Sequence, residues 1–332
     1  MVLTEMNLLP GNFHIDTNPE ELLDYILLPG KSMDHHKLNT EAGIELIKPS
    51  WASQIGRDSE GLWVEFEQPG KTGRVYLPQS GNEFRCDDVG LYTDLIIKGI
   101  TQRCRWIPPG IFCMGSPSSE KERRDNENQH LVTLTQGFWL ADTACTQALW
   151  KAVTGDNPAF FTENENNPVE QVSWDDVQNF IKLLNNLIPG LGAQLPTEAQ
   201  WEYACRAGTT TPFSFGESIT PEQVNYDGNV PYANEKKGEC RERTVAVKSL
   251  PANPWGLYEM HGNVWEWCAD WYDDYPTMPV SDPTGSETGS CRVLRGGSWS
   301  NHGWRTRSAN RGWYPPVNRD NYIGFRIVVG QA

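Results

Sequence analysis

The segment from Arg292 onward concentrates side chains suited to holding a ligand. It carries seven arginines (292, 295, 305, 307, 311, 319 and 326), no lysine and one acid, Asp320. Three tryptophans (299, 304, 313) and two tyrosines (314, 322) fall within 24 residues of it, with no aliphatic periodicity. Such residues dominate binding surfaces: aromatics give large rigid contact area and guanidinium groups give directed, charge-assisted hydrogen bonds. Catalytic constellations are harder to find. Eight cysteines (86, 104, 113, 145, 205, 240, 268, 291) include no C-x-x-C pair and no histidine at ligand spacing, which reads as buried thiols. Asp270, Asp273 and Asp274 beside Trp271 and Tyr272 read as a solvated acidic turn rather than an acid/base pair. There is no nucleophile elbow, phosphate loop or H-E-x-x-H.

Charge narrows the partners. The 332 residues carry a net −15, split as +6 from Arg292 onward and −21 before it. A polyanion repels phosphates at long range, which argues against general nucleic-acid binding. A local basic patch on the closing segment remains open, with stacking and phosphate contacts as its means. Met1–Pro10 contains Glu5 and no basic or apolar run of leader type, and no stretch approaches a membrane span. The expectation is a cytoplasmic, folded chain without a membrane span. Hydrophobic content of 38% with 21% charge fits that. Thirty glycines, 23 prolines and 14 tryptophans indicate a loop-rich core stitched by aromatics.

The elements that must position these residues can be placed by local signals. One helix-like stretch spans Pro19–Leu28, and His35 and His36 follow in polar sequence read as a loop. Asp58-Ser-Glu-Gly-Leu-Trp63 recurs as Asp87-Asp-Val-Gly-Leu-Tyr92, and each copy leads into a β-hairpin turning at Gly70 or Gly99. Helices are expected over Gln147–Thr154 behind Thr146, from Ser173 to about Leu187, and from Thr197 through Ala207. Beyond Gly208 come only short strand candidates: Thr244–Val247, Val293–Leu294 and Phe325–Val329. This divides the chain into an accessory region over 1–105 and a main domain over 106–332.

Several stretches, in order, resemble the formylglycine-generating-enzyme (sulfatase-modifying-factor) family. They are Trp106–Ser116, Asn167–Trp174, Leu195–Gly208, Asn253–Trp267, Arg295-Gly-Gly-Ser-Trp299 and Ile323-Gly-Phe-Arg326. The resemblance implies an α+β, C-type-lectin-like fold. The family's oxidase chemistry uses copper held by two cysteines just after the Gly-Gly-Ser-aromatic motif, since thiolates select Cu(I). Here those positions hold Asn301 and Thr306, so the expectation is no enzyme. The iron-binding histidines of the related sulfoxide synthases have no counterpart in residues 1–105. The family also implies a structural calcium at Glu259, Gly262, Val264 and Glu266, with Glu259 departing from the usual asparagine and a second, looser site near Asn225–Asp227. Otherwise Asn263 and Glu266 bond loop amides, and no further cofactor is implied.

The closing segment resembles the variable region of proteins diversified by diversity-generating retroelements. The slots that such proteins vary fall here on Ser300, His302, Trp304, Arg305, Gly312, Trp313, Tyr314, Val317, Asp320 and Tyr322. The function expected is display of these residues to a ligand, most naturally a protein. The alternative is a formylglycine-type oxidase or a related enzyme acting on a protein or small thiol.

Overall fold

The structure is a computed structural model that describes residues 36–39, 45–48, 52–58, 61–68, 71–76 and 85–330. The helix expected at Pro19–Leu28 lies outside the described residues. Strands β1 (His36–Asn39) and β2 (Glu45–Lys48) form a hairpin, so His36 opens a strand rather than lying in a loop. Both repeated hairpins are present. In the first, β4 (Gly61–Gln68) pairs with β5 (Lys71–Tyr76) and also with β3 (Ala52–Asp58).

The second hairpin, β7 (Gly90–Ile97) and β8 (Ile100–Ile107), is built into the main sheet behind β6 (Arg85–Asp87). β8 pairs with β11 (Phe138–Ala141), which pairs in turn with the returning β17 (Val328–Val329). A boundary drawn after residue 105 therefore runs through a paired strand. β9 (Gly110–Met114), β10 (His130–Leu134) and β13 (Val280–Ser281) make a small sheet. The four-stranded sheet under the closing segment runs β15 (Arg311–Tyr314), β14 (Arg292–Arg295), β12 (Trp265–Trp271), β16 (Ile323–Gly324).

The three expected helices form where their caps direct. α1 (Gln147–Thr154) starts at Thr146, whose hydroxyl accepts the Leu149 amide, and ends at left-handed Gly155. α2 (Trp174–Leu187) and α3 (Glu198–Arg206) open with full capping boxes at Ser173–Asp176 and Thr197–Gln200. α3 stops one residue before expectation, because Ala207 takes the left-handed cap.

Thr244–Val247 is not a strand. Its backbone is held by side chains: Asn263 accepts the Val245 amide and donates to the Val245 carbonyl, and the Val247 amide reaches Asn166. Phe325–Val329 is strand only at its last two residues. Aromatics stitch the core: Trp150 stacks on Phe180 at 5.1 Å, Phe325 meets Phe180 edge-on at 5.3 Å, and Tyr203 meets Trp255 at 4.9 Å. Cys104, Cys145, Cys205 and Cys268 are buried free thiols, whereas Cys113 is exposed.

Candidate functional site

β14 delivers the chain to Gly296 and Gly297, both with positive φ, where it doubles back. At Gly297 a Cβ would lie 2.8 Å from the Arg305 carbonyl oxygen, so only glycine allows the loop to close on itself. Asn301 fixes the turn by accepting the Ser298 amide and hydroxyl, each at 3.0 Å. A short 3-10 turn, Gly303–Thr306, then feeds a buried run, Thr306 to Arg311, which enters β15.

This run is anchored by charge. Arg307, fully buried, is clasped by Glu120 and Glu127. Arg311 donates twice to Glu198 at 2.7 and 2.8 Å. Arg295 reaches Glu198 and Glu202, and Arg326 donates to both oxygens of Glu266. Burial pushes the Glu202 carboxyl up, but Arg206 and Arg295 more than offset this and hold it below its ordinary value. Arg319 is exposed and paired with Asp176, and Arg292 lies over Trp174 and Trp271. The net +6 of the segment is therefore not a basic surface patch: its arginines are mostly neutralised by carboxylates contributed from elsewhere in the chain.

Between the anchors the slot residues come to the surface. Ser300, His302, Trp313 and Val317 are exposed; Trp304, Arg305, Gly312, Tyr314, Asp320 and Tyr322 are half-buried. None is buried. The Tyr314 and Tyr322 hydroxyls meet at 2.9 Å, and Arg305 senses both. Trp313 points away from Tyr314, as neighbours on a strand must, and stacks on Tyr272 at 4.4 Å. Trp313 and Tyr314 thus face opposite sides of their strand, and two residues from outside the segment touch slot residues: Tyr272 meets Trp313 and Arg124 lies over Trp304. Sequence reasoning missed both, and their contacts span too much chain to leave a local signal. Of the two aromatics in the Gly-Gly-Ser-Trp and Ile-Gly-Phe-Arg motifs, Phe325 is fully buried, while Trp299 is half-buried edge-on against Phe161.

Asn301 and Thr306, at the copper-ligand positions, offer an amide and a hydroxyl. The Thr306 hydroxyl donates to the Gly303 carbonyl at 2.9 Å. These residues do not fit a Cu(I) ion. Beneath them lies a buried trio. His261 bonds the Thr306 carbonyl through Nδ1 at 2.7 Å and accepts the Ser214 amide at Nε2, and the Cys205 sulfur lies 3.7 Å from Nε2. Burial depresses His261 to about 4 and pushes the Cys205 thiol up to about 12, so both are neutral and no thiolate–imidazolium pair forms.

Of the two carboxylates of the expected calcium site, that of Glu266 is already committed. Both Glu266 oxygens are engaged by Arg326 at 2.7 Å, and one also accepts the Trp201 indole at 2.8 Å. Glu259 is buried beside the Lys248 and Leu250 backbone, and burial raises it to about 7. Gly262 and Val264 bring only backbone oxygens. The Asn263 side chain is committed to Val245 and Asn225. Asp270 is not in a solvated turn: it is buried, accepts the Glu198 amide at 2.8 Å, and is pushed to about 7 by burial and then by Glu198. Asp273 and Asp274 are exposed as expected.

This fold and this loop arrangement define a class. Residues 100–331 match the sulfatase-modifying factor enzyme 1-like domain, and the chain belongs to that family. The formylglycine-generating enzyme of Streptomyces coelicolor is 38% identical over 175 residues, covering 50% of this chain and 53% of that protein. The chain spans about half the length of the curated relatives it matches. Among solved structures, variable protein 1 of Treponema denticola superposes with a TM-score of 0.63 at 25% identity, covering 72% of this chain and 98% of that one. PvdO from Pseudomonas aeruginosa superposes with a TM-score of 0.61 at 25% identity, over 77% of this chain and all of that one (100%). The fold is the α+β, C-type-lectin-like fold of formylglycine-generating enzymes and variable proteins. No helix among the described residues is long and apolar enough to cross a membrane.

Proposed function

We propose that this chain is a ligand-binding variable protein of a diversity-generating retroelement, presenting its slot residues to a protein partner. One observation carries the reading: all ten slot residues reach the surface, whereas most of the frame around them, Val293 to Ser298, Thr306 to Arg311 and Ile323 to Val329, is buried; of the remaining frame residues Trp299 and Pro316 are half-buried and Asn318 and Arg319 are exposed. A surface meant to vary must be separated from the residues that hold it, and that separation is present here. Likeness to a solved variable protein supports the same reading. The test is to sequence the 3′ end of the gene across a growing population. Substitutions clustered at adenines of the slot codons are expected; changes spread evenly over frame and slot codons would refute it.

Relatives that are formylglycine-generating enzymes favour a second reading, an oxidase or related enzyme. Asn301 and Thr306 weigh against the copper route. Incubation with Cu(I) and a cysteine-containing sulfatase peptide distinguishes the two: the binding reading expects no aldehyde, and aldehyde formation would restore the enzyme.

A further inference from the structure

Two guanidinium groups lie over the Trp304 ring. Arg124, from the loop before β10, sits 4.4 Å from its ring centroid, and Arg305 sits 4.8 Å from it. Among the described residues neither arginine has a carboxylate within ion-pair reach, although Arg295, Arg307, Arg311, Arg319 and Arg326 all do. Two cations held on one indole, close enough to depress the Arg305 pKa after burial has already done so, are a repulsive arrangement that the fold leaves uncompensated. The neighbouring acids do not relieve it: Asp125 leans 3.7 Å from Arg123 and Glu122 is exposed.

Resting on the binding reading above, we propose that Arg124, Trp304 and Arg305 form an anion subsite that takes an aspartate or glutamate carboxylate on the surface of the protein ligand. A guanidinium fork matches a carboxylate, and the indole fixes the forks in place. The isolated cationic spot sits on a chain of net −15, which favours one localised anion over a polyanionic strand. Arg124 stands outside the closing segment, so it supplies a fixed charge beside a slot whose residue can change.

The test uses the intact chain and two probes, a capped Gly-Glu-Tyr-Glu-Gly peptide and its Gln counterpart, followed through the Trp304 indole NMR signal. A saturable shift with the Glu peptide alone is expected. Arg124→Gln or Arg305→Gln should weaken binding about fivefold each, and the double variant more than about tenfold, with unfolding unchanged. No shift, an equal shift with the Gln peptide, or tighter binding of a short oligothymidylate would overturn the proposal. A displayed random-peptide library separates this failure from that of the binding reading. Peptides that depend on Tyr314 and Tyr322 but lack acidic enrichment would sink the anion subsite alone. If none of the selected peptides depends on any slot residue, both fall.

Discussion

The Arg307 guanidinium donates through both terminal nitrogens to the two oxygens of Glu127, at 2.8 Å each, across 180 residues of chain. Glu120 completes the clasp, and all three side chains are buried. Removing one partner of such a group leaves an uncompensated charge inside the protein. Arg307→Ala should therefore cost about 3–5 kcal/mol in urea unfolding. Replacing Arg307, Glu120 and Glu127 together by apolar residues should cost much less. Equal losses in the two variants would show that the charges are not what anchors the loop.

Trp313 behaves differently because it is 42% exposed and rests mainly on Tyr272. Trp313→Ala should lower stability by less than about 1.5 kcal/mol, the scale of one aromatic pair. Trp267, fully buried with its indole donating to Val172, should cost about 3–5 kcal/mol when truncated. Denaturant titration of the two variants checks the contrast.

The helices and both hairpins were legible in sequence because their signals are local. Thr146, Ser173 and Thr197 each cap within three residues, and Gly99 sits at the turn of the second hairpin. β12 was not legible. Trp265, Glu266, Trp267 and Cys268 are all buried, so no alternation marks the strand, and Glu266 is tolerated inside only because Arg326 meets it from 60 residues away. Charge counting failed for the same reason: it registered seven arginines and could not see which carboxylates the fold would bring to them. The slot residues were found by resemblance, and the role of Arg124 beside them emerged only from the packing.

The buried acids set a pH dependence. Burial raises Glu170, Glu259 and Asp270 to about 7 each, above the ordinary 4.5 or 3.8. A raised carboxyl favours the folded state fully below its unfolded pKa and loses that contribution as pH rises through the folded value. The thermal midpoint should therefore fall between about pH 4 and pH 7, and Asp270→Asn should flatten the decline. Asp87, Asp176 and Glu202, held low by their arginines, act only in more acid solution, where stability is lost as pH falls. A midpoint that rises steadily from pH 5 to pH 8 would contradict the assignment.

Calcium should matter little. Because Arg326 and Trp201 occupy the Glu266 carboxylate, millimolar calcium and chelator should give the same melting temperature, whereas a ligand bound well above its Kd would stabilise by about 2.7 kcal/mol at a hundredfold excess. A clear calcium-dependent rise would mean that backbone oxygens of Gly262 and Val264 suffice.

The proposed separation of the slot residues from a buried frame is tested most directly by two displayed libraries sorted for protease resistance. One randomises the ten slot residues together; the other randomises ten frame residues drawn from 295–298, 306–311 and 323–326. Most members of the slot library should stay folded, and almost none of the frame library should. A slot library that collapses as the frame library does would show that these residues are core and form no surface separable from the frame.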